Sequence, residues 1–202
     1  SSVRSISYRH PNFRIALPPG EAVELLVRVQ SQSSMQVPLV LYTPRAFAEV
    51  MRDAQFSTGL YYGIVLALLF YNLVLWLMLR DSGYFWYLLH TGAFGLVLFT
   101  LNGYGFEYFW PNSAWLADAS VPLSICLALV GMQLFTRSFL ELQERWPRGN
   151  LVSLMVTGFF VVLGIASFWL PYSTATPLAS RAVLAGVVWI MVATVVMLRR
   201  GY

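Results

Sequence analysis

Residues of the types that perform chemistry are few and scattered in this sequence. His10 and His90 lie far apart, and neither has a second candidate ligand at a metal-binding spacing such as HExxH. The motifs GxSxG and GxxxxGK[ST] do not occur, and the absence of lysine excludes a retinal Schiff base. We therefore expect this chain not to be an enzyme, and we predict no catalytic residue, no cofactor and no metal site.

A second group of polar residues interrupts apolar sequence and has a candidate structural or relay role. Asn72 is predicted to hydrogen-bond to a neighbouring helix, because an unpaired amide is costly in hydrocarbon. His90 is predicted to be a packing residue rather than a proton switch. For Arg181 the candidate partners are Glu107 and Asp118, and the alternative is extension of its side chain to the lipid headgroups.

These residues lie in or beside long apolar stretches that are predicted to be membrane spans. About twenty helical residues, at about 1.5 Å each, cover the roughly 30 Å of hydrocarbon in a bilayer. The chain is 58% hydrophobic and 11% charged, whereas about 25% of residues are charged in a typical soluble domain. The sequence therefore predicts a mainly α, polytopic membrane helix bundle in contact with lipid, with spans at about 59–79, 84–106, 119–136, 151–170 and 182–198.

The positions of the charges predict how the bundle is oriented. All 13 basic residues are arginines, and the loops 103–118 and 171–180 contain none of them. Arginines instead follow the first span, lie between the third and fourth, and close the fifth. By the positive-inside rule these arginine-bearing ends are cytoplasmic, and residues 1–57 are extracytoplasmic. Because the arginines are scattered rather than gathered on one patch, we expect no nucleic-acid partner.

Residues 1–43 have a different, period-two pattern. Val23, Leu25, Val27 and Val29 alternate along a predicted strand, "ALPPGE" predicts a turn before it, and "FRIAL" and "VPLVLY" predict two further short strands. Three strands of this length cannot hold an independent core. We expect the end of a β-sandwich domain that begins upstream. No signal peptide is visible, so the chain reads as part of a longer protein.

Two further segments have alternative roles. Residues 44–57 are predicted to be a connector helix, with Thr43 as cap and Pro44 in its first turn. This connector either couples the sandwich mechanically to the first span or lies on the lipid surface. The aromatic segment 102–115 is either an interfacial plug or a docking floor for the outer domain. Tyr61 and Tyr62 are predicted to join the outer aromatic belt, and Cys126 to be a small buried hydrophobe.

Several ordered motifs resemble one family along nearly the whole chain. They are "YRHPNFRIALPPGE", "VPLVLYTPRAF", "QFSTGLYYGIVLALLFYNL", "DSGYFWYLLH", "NGYGFEYFWPN" and "TRSFLEL". The chain resembles the bacterial seven-transmembrane receptors with diverse intracellular signalling modules. The resemblance implies an extracytoplasmic jelly-roll domain similar to carbohydrate-binding modules, five of seven helices, and an output domain outside this sequence. A diguanylate cyclase or a histidine kinase is the implied output.

The expected function is therefore the sensor and relay portion of a receptor in the bacterial inner membrane. The expected partners are a small extracytoplasmic ligand such as a carbohydrate, the cytoplasmic output domain and, as one open arrangement, a second copy of the chain. The alternative function is a transporter or permease. Transporters tend to show internal repeats and interrupted helices. No repeat is visible here and Pro122 lies near the start of a span, so the sequence favours the receptor.

Overall fold

The chain folds into a bundle of long helices, described over residues 12–20, 22–28, 39–110 and 113–200 of a computed structural model. A π-helical turn, Gly105–Phe109, lies between the second and third helices. The α-helices are α1 (Pro44–Leu79), α2 (Ser82–Leu101), α3 (Ala114–Phe139), α4 (Leu142–Arg145), α5 (Pro147–Ala166) and α6 (Tyr172–Arg199).

Five of these helices, all but the short α4, are long and apolar enough to cross a membrane. The predicted number of spans and the mainly α fold class are confirmed. Several helix ends differ from the predicted boundaries. Glycine and proline set these ends through their backbone conformations, which hydropathy does not report. The second helix ends at Leu101, since Gly103 follows in the left-handed region at φ 81°. The fourth span begins with Pro147 at the first helical position.

The packing is arranged around α3. This helix contacts α2 on one side and both α5 and α6 on the other, whereas α1 contacts α2 alone among the described helices. The core where α3, α5 and α6 meet consists of small and aliphatic side chains with one phenylalanine, and it includes the predicted buried cysteine: Cys126, Leu129, Phe160, Leu163, Ala179 and Ala182. Small residues let helix backbones approach closely, which is how membrane helices associate.

The loops gather at two opposite ends of the bundle. At one end the Ser82 and Ser138 hydroxyls lie 3.0 Å apart, joining the start of α2 to the end of α3. At the other end the Trp115 indole N–H donates to the Phe168 carbonyl at 3.2 Å, joining the start of α3 to the end of α5. The arginine-bearing segments after α1, between α3 and α5, and after α6 all lie at the first end. The alternation that the positive-inside rule predicted is therefore present in the fold.

The N-terminal segment is described only at residues 12–20, 22–28 and 39–43. The turn predicted at "ALPPGE" is present, because Pro19 and Gly20 form it with Gly20 at φ 84°. No strand pairing occurs within these described stretches. The predicted strands also involve residues 21 and 29–38, which lie outside the described residues, so the strand predictions stay predictions.

Candidate functional site

The connector and the first span are one helix. Thr43 caps α1 by accepting the Ala46 N–H at 3.3 Å, and Pro44 occupies the first helical position. The helix then continues for 36 residues to Leu79. A connector lying on the lipid would need a break before the first span, and α1 has none. The N-terminal segment is therefore joined to the membrane by a continuous rod.

An outer aromatic cluster links α1 to the segment after α2. The Tyr104 hydroxyl donates to Thr58 Oγ1 at 3.0 Å. The Tyr62 ring packs edge-on against Phe99 and Tyr104, with ring centroids 5.5 and 6.1 Å apart. Tyr62 thus packs between helices and Tyr61 is exposed, and their place in the outer aromatic belt stays a prediction. The outer aromatic cluster, Thr58, Tyr62, Phe99 and Tyr104, ties the middle of α1 to the aromatic loop.

The acidic residue of this loop affects its neighbour rather than Arg181. Glu107 lies in the π-helical turn, and its Oε2 atom is buried with no hydrogen-bond partner. The nearby Glu107 charge raises the pKa of the Tyr108 phenol above its ordinary value of 10.0, and desolvation, a hydrogen bond to Glu107 and the proximity of Tyr104 act in the same direction. A phenolate beside a carboxylate is unfavourable because the two charges repel.

We expect Glu107→Gln to lower the pKa of Tyr108 towards its ordinary value, because the substitution removes the largest cause of the shift. The measurement is an alkaline titration of phenolate absorbance, with the Tyr108→Phe variant subtracted in each background. With Glu107 present, ionisation of Tyr108 is disfavoured in the folded state. The stability that the protonated Tyr108 phenol contributes is therefore present below the unfolded pKa of about 10 and is lost as the pH rises above it. An unchanged Tyr108 titration in Glu107→Gln would contradict this assignment.

The predicted ion pair of Arg181 does not form. The ion pairs among the described residues are Arg45–Glu49, Arg52–Asp53 and Arg145–Glu141. Arg181 and Asp118 are both exposed, on α6 and α3. The fifth span begins at Tyr172, ten residues earlier than predicted, so Arg181 lies about 14 Å along the helix rather than in the loop with the acids. Its exposure fits the alternative, in which the side chain extends to the headgroups.

His90 lies where α2 and α3 approach each other closely. Its Nδ1 atom is 2.8 Å from the Ala128 carbonyl oxygen of α3. Opposite it, a methyl group added at Gly131 would lie 2.7 Å from the His90 backbone nitrogen. His90 is half-buried and hydrogen-bonded between two helices, as expected of a packing residue. The contact couples the positions of α2 and α3.

Asn72 departs from its prediction. Its amide N–H donates to the Leu68 carbonyl at 2.8 Å, within α1 itself, and forms no bond to a neighbouring helix in the described structure. The physical reason is that the carbonyl one turn earlier is within reach of a short polar side chain, so the amide is satisfied locally. Asn72 therefore does not hold α1 to the bundle.

Gln133 provides the interhelical hydrogen bond that was predicted for Asn72. Its side chain is fully buried on α3, and Nε2 donates to the Gly186 carbonyl of α6 at 3.2 Å. A methyl group at Gly186 would lie 3.1 Å from the Phe160 ring of α5, so the three helices meet there. The sequence carried the necessary signal, because Gln133 is an amide inside the uncharged stretch 119–136, and the argument applied to Asn72 applies to it equally.

The segment between α3 and α5, residues 140–146, is held to both α5 and α6. Arg137 at the end of α3 donates from Nε to Asn150 Oδ1 at 2.5 Å and from Nη2 to Gln143 Oε1 at 3.0 Å. Leu142 is fully buried in a cluster with Leu140, Ala193 and Met197, against which Trp146 and Trp189 pack. The loop therefore moves with the cytoplasmic end of α6.

The contacts just described position the helices relative to one another. No three His, Cys, Asp or Glu residues of the described chain are grouped so that they could hold a metal ion. The candidate site is a series of interhelical contacts between Thr43 and Arg200. It passes through the outer aromatic cluster, the His90 contact and Gln133.

Comparison with known proteins identifies the chain. The family model "7TM diverse intracellular signalling" matches residues 54–202, more than half of the sequence. The chain belongs to this receptor family. A second model, "7TMR-DISM extracellular 2", matches residues 1–43 and ends where α1 begins. No curated protein and no solved structure matches the chain.

Family membership fixes the orientation of the receptor. Residues 1–43 belong to an extracellular domain, and the helices are those of a multi-pass membrane protein. The end that carries the outer aromatic cluster therefore faces outward, since it lies on the side of the first span from which α1 continues to the extracellular domain. The arginine-bearing end faces the cytoplasm, as the positive-inside rule predicted.

Proposed function

We propose that this chain senses a ligand through its extracellular domain and relays a helix movement to a cytoplasmic diguanylate cyclase or histidine kinase. The chain itself performs no catalysis in this proposal. A small molecule such as a carbohydrate is the proposed ligand, the bacterial inner membrane is the proposed location, and two copies of the chain work together.

The continuous helix α1 is the observation that carries the proposal. The match to the extracellular domain ends at residue 43, and α1 begins at Pro44 and continues across the membrane to Leu79. No glycine- or serine-rich linker intervenes to absorb motion. A rotation or displacement of the extracellular domain must therefore move the first span.

The packing order supplies a route from α1 to the cytoplasmic end. Since α1 contacts only α2 among the described helices, its movement reaches α3 through α2. The His90–Ala128 contact joins α2 to α3, and the Gln133–Gly186 hydrogen bond joins α3 to α6. For a signal to cross, these contacts must be arranged differently in the ligand-free and ligand-bound receptors. A ligand shifts the equilibrium between two arrangements only by the difference in its affinity for them.

We expect insertion of Gly-Ser-Gly-Ser after Asp53 in the full-length receptor to abolish ligand-dependent output while leaving ligand binding intact. The insertion breaks α1 outside the membrane and lies in neither core, so both domains keep their own folds. The measurement is cyclase or kinase activity with and without ligand, alongside ligand affinity.

The matched control is a seven-residue helical insertion of alanine and glutamate at the same position. Seven residues turn the helix by about 700°, within about 20° of two full turns, so stiffness and facing are kept. We expect this variant to retain ligand-dependent output. If the flexible insertion retains output as well, α1 is a passive anchor and the proposed relay is wrong.

The transporter alternative predicts a different result. Transport would need substrate movement across the bundle rather than an output reaction, and family membership points to intracellular signalling. Uptake of labelled ligand into vesicles that contain the receptor measures transport directly. We expect no uptake above that of empty vesicles.

A further inference from the structure

The cytoplasmic rim of α5 and α6 carries arginines that form no ion pair with a carboxylate of the described residues. Arg148 lies in the first turn of α5, and Arg199 and Arg200 lie at the end of α6. All three are exposed, and none belongs to an ion pair in the described part of the chain. Arg145, by contrast, pairs with Glu141 at 2.6 Å. A local positive charge therefore remains at this edge.

A tryptophan holds one of these guanidinium groups in place. The Arg200 Cζ atom lies 5.1 Å from the ring centroid of Trp146. Trp146 is itself stacked on Trp189, with centroids 6.0 Å apart and planes at 29°. The backbone of Gly149 packs directly on the Trp146 ring, so the first turn of α5, which carries Arg148, lies against the same platform. A fixed guanidinium loses less conformational entropy on binding a ligand.

The depth of this cluster in the membrane suggests its ligand. The 20 residues of α5 span about 30 Å, the thickness of the hydrocarbon, so its first turn lies at the cytoplasmic boundary. Tryptophan side chains favour this headgroup level. The cytoplasmic leaflet presents anionic phospholipid phosphates at the same depth. Guanidinium groups bind phosphate through paired hydrogen bonds.

We propose that Trp146, Arg148 and Arg200 form a binding site for the headgroup of an anionic phospholipid. The arginines bind the phosphate, Trp146 holds the Arg200 side chain and contacts the glycerol region, and the bound lipid bridges α5 to α6. Through this site, the position of the cytoplasmic end of α6 depends on the content of anionic lipid in the surrounding leaflet. A lipid fits better than an acidic protein segment because the cluster lies at the hydrocarbon boundary and includes a packed indole.

The test is native mass spectrometry of the purified receptor with phosphatidylglycerol or phosphatidylcholine of identical acyl chains. We expect selective retention of phosphatidylglycerol, and a loss of about tenfold in its affinity in the Arg148→Gln/Arg200→Gln variant. The control is Arg45→Gln/Arg52→Gln, which removes the same charge from the extracellular part of α1 and should leave the affinity unchanged. Circular dichroism and gel filtration check that each variant folds. If the double variant does not fold, the affinity is measured with Arg148→Gln alone, because Arg148 is exposed.

Two further measurements separate the alternatives. Arg200→Lys keeps the charge and loses the planar stacking on Trp146, so we expect partial retention of the phosphatidylglycerol preference. Inorganic phosphate at millimolar concentration should not displace the lipid. Equal retention of both lipids by the unmodified receptor, equal losses in the control variant, or displacement by inorganic phosphate would each overturn the proposal. Displacement of the lipid by an acidic peptide would assign the cluster to a protein partner instead.

Discussion

Gly131→Ala is expected to lower the free energy of unfolding of the bundle by about 1–3 kcal/mol, the usual cost of overpacking. The added methyl group would lie 2.7 and 2.8 Å from the His90 backbone nitrogen and Cα, closer than real contacts allow. Backbone atoms cannot rotate away as a side chain can, so α2 and α3 must separate. The separation also lengthens the 2.8 Å contact between His90 and the Ala128 carbonyl. Thermal denaturation in mild detergent, followed by tryptophan fluorescence, measures the loss.

Gly158→Ala is the matched control for this prediction. Gly158 is also an interior helical glycine of a span, but a methyl group added there meets nothing within 4 Å. Alanine is favoured over glycine in a helix by roughly 1 kcal/mol, so this variant should be as stable as the unmodified protein or more so. Equal destabilisation by the two substitutions would show that the α2–α3 approach is not the cause.

Leu142→Ala is expected to destabilise the cytoplasmic end by about 2–5 kcal/mol, the range for a leucine removed from a closed core. Leu142 is fully buried and packs with Leu140, Ala193 and Met197. It lies in the segment between α3 and α5, and its truncation leaves a cavity among these apolar side chains. We expect an earlier thermal transition and faster hydrogen exchange in residues 140–146.

Leu151→Ala provides the comparison for the second prediction. Leu151 is 60% exposed on the membrane face of α5, and lipid tails replace its contacts in the variant without a cavity. Its effect on unfolding should therefore be within about 0.5 kcal/mol. If the loss in Leu142→Ala is no larger than this, the loop is not fastened to α6 through its apolar cluster.

The number of spans and their orientation followed from the sequence because hydropathy and arginine placement act over whole segments. The second helix shows where that information ends. Its apolar sequence continues to Phe106, but the left-handed Gly103 ends it at Leu101. A single backbone conformation thus overrides several residues of apolar sequence, and it converts the remainder into the aromatic loop that contacts α1.

The interhelical contacts were less predictable because they depend on which faces meet. Asn72 and Gln133 are both amides inside apolar spans, and each satisfies its donor as hydrocarbon requires. Gln133 finds the Gly186 carbonyl of another helix, whereas Asn72 finds the Leu68 carbonyl of its own. Composition cannot distinguish these outcomes, since the choice depends on helix packing and side-chain length. The platform of Trp146, Trp189 and Arg200 likewise joins residues that are distant in sequence.

The length of α1 makes it a lever. Its 36 residues extend over about 54 Å, so about 24 Å projects beyond the roughly 30 Å of hydrocarbon. The outer aromatic cluster holds α1 at Thr58 and Tyr62, close to the point where the helix leaves the membrane. This cluster is the fulcrum between two arms of similar length. A tilt of about 5° moves the first turn of α1 by about 2 Å and moves Leu79 by a similar distance in the opposite direction.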